Sequence, residues 1–322
     1  MRKSKSRQRK RLVLIDGHSV LFRAFHAYPP LTTSHGELIN AVYGFTNILL
    51  SVIKDLQPTH IAVTFDREKP TFRHEQYEGY KAHRPEAPEE LVSQQDRVEE
   101  VVSVLNIPIF AVEGYEADDV IGTLVKQARK KTKRLKGKGR EDMEVVIVTG
   151  DQDAFQLVDG KRVMVYTPAR GKGKANLWDA KAVSEKYGLK PIQLVDFKAL
   201  AGDPSDEIPG VRGIGPKTAS QLLGKYRTLK SVYQNLDMIE NQFGKSVYEK
   251  LVEGKESAEL SKKLATIVTD VPITLSLDAC VVHDYDKQKV VQKFRELEFK
   301  SLIEKLPNDP FEQMVQEEMF SD

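Results

Sequence analysis

Short apolar runs alternate with amphipathic segments through the first half of the chain. The runs predict buried strands, which we place at Arg11 to Ile15, His60 to Phe65, Ile107 to Val112, Glu144 to Thr149 and Arg162 to Tyr166. Helical spacing of apolar positions predicts helices from Gly36 to Leu56, from Pro88 to Leu105, and from the acids at 116–119 to a basic loop over 130–140. Near-continuous apolar strands that alternate with helices are typical of a parallel sheet in an α/β layer fold.

The second half of the chain has a different pattern, and we expect it to be mainly helical from Asp179 onward. Pro191 is suited to the first position of a helix that runs to Leu200, and further helices are predicted to about Lys263. We therefore place a boundary near residue 175, between an α/β core and a helical region.

Composition excludes several kinds of protein and site. No apolar run among the 322 residues is long enough to span a membrane or to form the core of a signal peptide. The single cysteine, Cys280, excludes intrachain disulfides and Cys-rich metal sites, as expected in a reducing cytosol. The net charge is +2, yet Met1 to Arg11 carries seven basic residues and Lys126 to Arg140 carries nine. The remainder is therefore strongly acidic, which suggests carboxylate clusters that need cations, beside surfaces that attract a polyanion.

Carboxylates follow four of the predicted strands. They are Asp16 after the first strand, Asp66 after the second, Glu116, Asp118 and Asp119 after the third, and Asp151 and Asp153 after the fourth, while Asp203 and Asp206 follow a predicted helix. Ligands of an open parallel sheet bind outside the carboxyl ends of its strands, so neighbouring strands would bring these acids to one edge. A helix-capping role explains any one of these acids equally well. Capping alone would have to explain acids at four successive strand ends, so a shared role for these acids is favoured.

Mutual repulsion makes such a cluster informative. Two like charges about 4 Å apart repel by roughly 4 kcal/mol at an effective dielectric constant of about 20. Nine carboxylates therefore need cations, and hard oxygen ligands suit Mg²⁺. Their number suggests two ions, which at a separation of about 3.5–4 Å can clamp the attacking and leaving oxygens of a phosphodiester. Without a Cys or His cluster in the sequence, zinc is disfavoured.

Two further segments are suited to nucleic acid. Gly213 to Lys217 resembles a helix–hairpin–helix turn, whose glycines and helix N-terminus can hold a phosphate, although an ordinary glycine-rich linker has the same composition. Phe72 to Arg84 interleaves aromatic and basic residues, a composition suited to single-stranded ends, and a solvated loop is the alternative. We expect this second segment to become ordered only on substrate, because its apolar periodicity is weak.

Several motifs together resemble one family. They are Asp16-Gly17-His18, Phe65-Asp66, Phe72-Arg73-His74 with Tyr80-Lys81, Gly114 to Asp119, Gly150 to Asp153, Gly202 to Asp206 and Gly210 to Ala219. In this order they resemble the 5′-3′ exonuclease domain of bacterial DNA polymerase I, in the 5′-nuclease (flap endonuclease) superfamily. The resemblance implies a PIN-like 5′-nuclease fold, in which an α/β catalytic core over 11–175 carries a helical arch at about 67–105. It also implies a helical DNA-binding region over 176–307 with a helix–hairpin–helix at about 190–225, between tails at 1–10 and 308–322.

The implied activity is metal-dependent hydrolysis of branched DNA at 5′ ends and flaps, with removal of RNA primers. By resemblance, the metal ligands are Asp16, Asp66, Glu116, Asp118, Asp119, Asp151, Asp153, Asp203 and Asp206. The catalytic cations of the arch are Lys81 and Arg84, and the residues that contact DNA are Phe22, Arg23, Arg73, Tyr80, Gly213, Gly215, Lys217 and Thr218. The implied cofactors are two Mg²⁺ ions, for which Mn²⁺ can substitute, and K⁺ at the helix–hairpin–helix. The implied setting is a cytoplasmic, nucleoid-associated monomer that works with a DNA polymerase in trans.

Three features depart from the family pattern. Glu207 stands where relatives usually have Asn, and the basic segment over 130–140 is longer than usual. The chain stops at Asp322, where the family continues into polymerase domains, so we expect a stand-alone nuclease or an excised domain. The alternatives to a DNA nuclease are a catalytically silent protein that binds branched DNA and a metal-dependent ribonuclease with a similar acidic edge.

Overall fold

The computed structural model describes residues 10–67, 70–134, 143–169, 171, 173–282 and 284–307. The predicted basic tail (all but its last residue), most of the predicted basic loop and the predicted tail over 308–322 lie outside the described residues. None of the described helices has both the length and the apolar character needed to cross a membrane.

Six strands and fifteen α-helices form within the described ranges. The strands are β1 (Arg11–Asp16), β2 (His60–Thr64), β3 (Ile109–Phe110), β4 (Glu144–Val148), β5 (Val163–Thr167) and β6 (Asn176–Trp178). The first six helices are α1 (Gly17–Ala27), α2 (Asn40–Leu56), α3 (Phe72–Gln76), α4 (Glu89–Val92), α5 (Gln95–Val104) and α6 (Ala117–Arg134). The others are α7 (Ala180–Tyr187), α8 (Leu194–Ala201), α9 (Pro216–Tyr226), α10 (Leu229–Gln234), α11 (Leu236–Phe243), α12 (Lys245–Glu253), α13 (Lys255–Ala265), α14 (Lys287–Glu296) and α15 (Lys300–Ile303).

The predicted α/β fold with a largely parallel sheet is confirmed. The strand order is β3-β2-β1-β4-β5-β6, and every pair is parallel except β5 with β6. Ile15 of the central strand lies opposite Val63 of β2 and Val148 of β4. The three strands therefore end at the same level, and the acidic residues that follow them emerge at one edge of the sheet.

Apolar side chains cover both faces of the sheet, as expected for parallel strands. In β1, Leu12 and Leu14 face a core shared with α6 and with most helices of the second half of the chain. Val13 and Ile15 face a second core formed with α1, α2, α5, α14 and α15. The sheet is thus a rigid layer between two helical layers, and its carboxyl edge is held from both sides.

Element boundaries differ from the predictions for local reasons. Helix α2 begins at Asn40 rather than Gly36, because Gly36 has a φ of +83° and a bridge pairs Thr32 with Leu38. Strand β3 has only two residues, and α6 continues to Arg134 instead of ending before the basic run. Strand β6 was not predicted, because its three residues are too few and too exposed to give an apolar pattern.

The predicted domain boundaries also differ from the observed packing. A boundary near residue 175 would separate β5 from β6, which pair Thr167 with Asn176. Phe294 of α14 and Leu302 of α15 pack in the core that contains α2 and α5, so the last helices return to the α/β layer. Helix α5, predicted to belong to the arch, is also part of this core.

The segment between β2 and α4 leaves the sheet, as predicted for the arch. After α3 it makes a series of turns near Tyr80, which is 3% exposed and packs with Ile208 and Leu264. We call residues 72–88 the arch segment. These contacts join the arch segment to the helical region. That the segment becomes ordered only on substrate stays a prediction.

Candidate metal centre and nucleic-acid surface

A cavity of about 1540 Å³ opens at the carboxyl edge of the sheet. Nine residues selected from the sequence line it, namely Asp16, Asp66, Glu116, Asp118, Asp151, Phe22, Arg23, Lys81 and Arg84. Five of the predicted acids, which follow four different strands, therefore converge on this cavity. We call these five carboxylates the cavity group.

Asp16 joins the end of β1 to the start of α1. Its Oδ1 accepts a hydrogen bond of 3.0 Å from the Ser19 amide, and its Oδ2 accepts one of 2.7 Å from Thr149 Oγ1. Burial nevertheless raises the pKa of Asp16 to about 7, and the charges of Asp66 and Asp151 act in the same direction. The helix cap is real, but it does not satisfy the charge of this carboxylate.

Asp66 and Glu116 are held where β2 and α6 approach each other. The Ala117 amide at the start of α6 donates a hydrogen bond of 2.6 Å to Asp66 Oδ1. Lys81 Nζ of the arch segment donates one of 3.0 Å to Glu116 Oε1. Burial by itself would raise the pKa of Glu116, but the charges of Lys81 and Arg73 hold that pKa below its usual value. Glu116 is therefore ionised and joins the arch segment to the first turn of α6.

Asp118 differs from its neighbours in having no partner. Among the described residues no donor forms a hydrogen bond or ion pair with its carboxylate, which faces the cavity. Burial, followed by the charges of Asp151, Glu116 and Asp16, raises the pKa of Asp118 well above its usual value. Such a group is strongly stabilised by a cation, and its oxygens are hard ligands of the type that Mg²⁺ prefers. The residues of the cavity group thus fit a divalent ion.

A second set of carboxylates lies beside the cavity group. Ligand oxygens of Asp153, Asp203 and Asp206 all lie within 4.8 Å of one another, and we call these residues the second group. Asp151 connects the two groups, because its charge contributes to raising the pKa values of Asp118, Asp153 and Asp206. Burial is the main cause of the rise in the pKa of Asp153, to about 6.

Lys198 of α8 was not selected from the sequence, yet it lies within the second group. Its Nζ forms short ion pairs with Asp153 Oδ1 and Asp203 Oδ2. Its position five residues before Asp203, on a predicted helix, was the only sequence signal that could have identified it. An ammonium between two carboxylates indicates that this position favours a cation.

Asp119 and Arg73, both predicted site residues, are buried away from the cavity. Asp119 is 0% exposed, and both of its oxygens accept hydrogen bonds from Arg73, at 2.7 and 2.8 Å. The Val268 amide adds a third hydrogen bond of 2.8 Å to Asp119. Arg73 is 2% exposed, so it cannot contact DNA as placed, and Asp119 has a bound counter-charge instead of an open coordination position.

Tyr80 is likewise buried rather than open to a base. Its hydroxyl donates a hydrogen bond of 3.2 Å to Glu116 Oε2, and its ring meets that of His74 edge-on, with centroids 5.4 Å apart. The same side of the arch segment contacts the loop after α8, where the His83 amide donates a hydrogen bond of 2.8 Å to Glu207 Oε2. Glu207, the departure from the family pattern, therefore ties this loop to the arch segment.

The predicted DNA-contacting residues near α1 are accessible. Phe22 is 53% exposed and stacks edge-on against His26, with ring centroids 4.4 Å apart. Arg23 Nη1 donates a hydrogen bond of 2.9 Å to the Pro168 carbonyl. Both residues line the same cavity as Lys81 of the arch segment, so a strand that reached the acids would meet α1 and the arch segment together.

The glycine-rich segment connects α8 to α9, and none of its four selected residues lines the cavity. Gly213 has a φ of +82°, and Gly215 is the N-cap of α9, whose first residue is Pro216. Lys217 is exposed in the first turn of α9, beside the partly exposed Thr218. A helix N-terminus with an exposed lysine in its first turn is a surface suited to a phosphate.

Comparison with known families covers most of the chain. A family model described as "5′-3′ exonuclease, N-terminal resolvase-like domain" matches residues 11–188. A second, described as "5′-3′ exonuclease, C-terminal SAM fold", matches residues 189–288. The division between the two matches lies after α7, rather than near the predicted residue 175.

Similar proteins include several named DNA polymerase I. That of Caldicellulosiruptor bescii is 43% identical over 297 residues, which are 92% of this chain and 33% of the relative. Those of Bacillus caldotenax and Bacillus subtilis are 43% and 40% identical over 305 residues, which are 95% of this chain and 33% of each relative. The chain thus spans about a third of the length of the curated relatives that it matches.

Solved structures with the same fold include three that contain metal ions, DNA or both. The T5 D15 protein co-crystallised with metal ions has a TM-score of 0.64 and 21% identity, covering 80% of this chain and 89% of that one. A T5 D15 flap endonuclease complex with DNA and metal ions has a TM-score of 0.62 and 21% identity, and it covers the same shares of the two chains. The catalytic core of Rad2 with a DNA substrate has a TM-score of 0.56 and 18% identity, and the match covers 92% of each chain. At these identities the likeness shows the fold, whereas the two family models cover residues 11–288 and establish that the chain belongs to the 5′-3′ exonuclease family.

Proposed function

We propose that the chain is a structure-specific, divalent-metal-dependent 5′-nuclease that hydrolyses phosphodiester bonds at 5′ ends and 5′ flaps of branched DNA. The observation that carries this proposal is the cavity group, five carboxylates from four strand ends that line one cavity. Asp118, which has no counter-charge bonded to it among the described residues, most clearly requires a cation. RNA–DNA primers annealed to DNA are included in the proposed substrates, because they present the same 5′ end.

Two divalent ions are proposed, one at each group of carboxylates. Asp16, Asp66, Glu116, Asp118 and Asp151 would hold the first, and Asp153, Asp203 and Asp206 would hold the second, with Asp151 near both. We propose Mg²⁺ because every donor is a carboxylate oxygen, and Mn²⁺ as a substitute with similar ligand preferences. Bound ions of this kind activate a water and stabilise the charge that develops on phosphate oxygens. The T5 D15 protein was co-crystallised with metal ions, and T5 5′-exonuclease binds divalent metal ions (zinc), which supports the proposal.

Lys81 and Arg84 are proposed to hold the phosphate that is cleaved. Lys81 has a φ of +55°, and its Nζ lies 3.0 Å from Glu116 Oε1 and 4.0 Å from Asp206 Oδ2, near both groups of carboxylates. The Arg84 side chain lines the cavity and forms no hydrogen bond or ion pair within the described part of the chain. These two cations can orient a phosphate against the carboxylates and offset charge on its oxygens.

Duplex DNA on either side of the cavity is proposed to contact two surfaces. Phe22 and Arg23 would meet the strand close to the acids, where an exposed ring can stack on a base. The turn before α9 is proposed to be a helix–hairpin–helix, in which Gly213, Gly215, Lys217 and Thr218 would bind a backbone phosphate. K⁺ is the cation proposed at this turn, where it would offset phosphate charge. Related T5 and Rad2 structures contain DNA, which supports DNA as the partner.

The proposed setting is DNA replication and repair in the cytoplasm, with the chain acting as a monomer. Relatives named DNA polymerase I are about three times as long as the part that they share with this chain. A polymerase activity, on another protein or on further sequence joined to this chain, is therefore the proposed partner that extends the upstream strand.

The proposal is tested with a labelled 5′-flap duplex incubated with Mg²⁺. Cleavage near the flap junction is expected, and the Asp151→Ala variant should retain DNA binding while losing cleavage. Asp96→Asn, which changes an exposed acid outside the cavity, is the matched control and should cleave normally. Binding without cleavage across pH and divalent ions would instead favour a silent branched-DNA-binding protein. Preferential cleavage of single-stranded RNA would favour the ribonuclease alternative.

A further inference from the structure

Lys198 places a side-chain cation within the second group of carboxylates. Its ammonium is paired with Asp153 and Asp203, two of the three residues whose oxygens lie within 4.8 Å of one another. A divalent ion bound by this group would need the carboxylates of the same residues. A single position therefore has two candidate occupants, the ammonium of Lys198 and an ion from solution.

The two occupants exclude each other on electrostatic grounds. Unit charges about 4 Å apart repel by roughly 4 kcal/mol at an effective dielectric constant of about 20, and a divalent ion doubles this figure. The Lys198 side chain is 19% exposed, so its flexible four-carbon stem has a route toward solvent. The ammonium can therefore leave without unfolding α8.

In the cavity group, a divalent ion does not have to compete with an ammonium for Asp118. Among the described residues no ammonium is bonded to Asp16, Asp118 or Asp151, and within this group the Lys81 ammonium is bonded only to Glu116. An ion can therefore reach Asp118 without displacing a bonded lysine. The two groups should bind divalent ions with unequal affinity for a reason that is visible in the structure.

We propose that Lys198 is a displaceable internal cation that competes with the divalent ion at Asp153, Asp203 and Asp206. In the absence of metal it neutralises part of the charge of this group and stabilises the loop after α8. When an ion binds, the ammonium moves away. Only molecules in which Lys198 has left the site can bind the ion, so the apparent affinity is the intrinsic affinity multiplied by the fraction of such molecules. This inference rests on the proposed function only in taking these three acids as a metal site.

The experiment measures binding of Mn²⁺ to EDTA-treated protein by isothermal titration calorimetry, with thermal unfolding as a second readout. Lys198→Met removes the charge and keeps the length of the side chain, whereas Lys198→Arg keeps the charge. Lys262→Met is the matched control, because Lys262 Nζ pairs at 2.7 Å with Asp196 on the same helix α8, outside the second group. Asp203→Asn identifies which of the binding events belongs to the second group.

The expected result is that Lys198→Met binds the ion assigned to the second group about tenfold more tightly than the wild type, as follows if Lys198 vacates the site in about a tenth of the molecules. Lys198→Arg and Lys262→Met should show no such tightening. The thermal shift produced by saturating Mn²⁺ should also be larger for Lys198→Met, because its metal-free form lacks the internal cation. If Lys198→Met fails to fold without metal, Lys198→Gln provides the same comparison with a polar side chain.

Unchanged or weaker binding by Lys198→Met, while the wild type binds an ion that Asp203→Asn loses, would overturn this inference and leave the proposed function intact. Equal tightening by Lys198→Arg would also overturn it, because the charge would then not be the cause. If the wild type binds no ion that depends on Asp203, the inference and the proposed second metal site both fail.

Discussion

Arg73 and Asp119 form a buried, two-point ion pair, with Nη1–Oδ2 and Nη2–Oδ1 distances of 2.7 and 2.8 Å. The same guanidinium donates hydrogen bonds to the Leu264 and Thr266 carbonyls, and Asp119 also accepts one from the Val268 amide. The pair therefore joins three parts of the chain, which are the arch segment, the first turn of α6, and the end of α13 with the residues that follow it. It fixes the turn from which Glu116 and Asp118 reach the cavity.

Removal of Arg73 should destabilise the protein strongly. The Arg73→Met variant leaves Asp119 buried without its counter-charge, and breaking a buried pair in this way typically costs about 3–5 kcal/mol. Urea unfolding of the metal-free protein measures the effect. Arg97→Met is the control, because Arg97 pairs with Glu37 and Glu100 at the surface, where ion pairs contribute less than about 1 kcal/mol. Equal losses in the two variants would show that the Arg73–Asp119 pair has no special role.

Asp118→Asn should raise the stability of the metal-free protein and lower its cleavage activity. The substitution removes a buried charge that no described donor neutralises, so the metal-free variant should unfold at a higher urea concentration than the wild type. Flap cleavage should fall by at least about a hundredfold, since even residues that only support a metal ligand typically contribute about 10–100-fold.

Asp96→Asn serves as the control for Asp118→Asn, because Asp96 is exposed and does not line the cavity. It should change neither the urea midpoint nor the cleavage rate. A lower midpoint for Asp118→Asn than for this control would mean that the Asp118 carboxylate is already neutralised in the metal-free protein.

The sheet and its acidic edge could be predicted because they depend on local patterns. Apolar runs mark β1, β2 and β4, and an acid follows each run at or just after the strand end. The short β6 lacks such a run and could not be predicted. It is recognised only by its antiparallel pairing with β5, which its own three residues do not indicate.

The roles of individual charged residues could not be read from residue type. Asp118 and Asp119 are adjacent acids on one helical turn, yet only Asp118 faces the cavity, because Arg73 reaches Asp119 from 46 positions earlier in the chain. Lys198 has the sequence signature of an ordinary lysine on a helix, and its role depends on Asp153, which lies 45 positions earlier in the chain. These distinctions arise from long-range packing, which a single sequence does not display.

Gly210→Ala should disrupt the loop that carries Asp203 and Asp206. Gly210 has a φ of +63°, and an added Cβ would lie 2.2 Å from the Gly202 amide nitrogen. Backbone strain of this kind costs about 1–3 kcal/mol, and the required shift would also separate the two acids from Asp153. Thermal unfolding and the Mg²⁺ dependence of cleavage should both be impaired.

Gly224→Ala is the matched control for this substitution. Gly224 lies within α9 and is exposed, and a Cβ added there would meet no atom within 4 Å. Alanine should there stabilise the helix by up to about 1 kcal/mol. If Gly210→Ala were as stable as Gly224→Ala, the close approach of Gly210 to Gly202 would not constrain the loop.

The stability of the metal-free protein should fall as the pH rises. Burial raises the pKa of Asp16 from 3.8 to about 7, so between these values the folded state binds a proton that the unfolded state has released. Folding is therefore favoured at the acidic end of this window, and the advantage, about 4 kcal/mol, is lost as the pH passes through 7. The raised pKa of Asp153, about 6, acts in the same direction.

Urea unfolding in EDTA between about pH 4.5 and 8 measures this dependence, since the window spans the folded-state pKa of Asp16. Asp16→Asn should have a flatter profile than the wild type, and the difference should be greatest above about pH 7, whereas Asp96→Asn should keep the wild-type profile. Saturating Mg²⁺ should oppose the loss, because the ionised carboxylates that destabilise the metal-free protein are the form that binds the ion. A wild-type profile in Asp16→Asn would mean that this carboxylate is already ionised throughout the window, and that its burial is compensated by the hydrogen bonds from Ser19 and Thr149 alone.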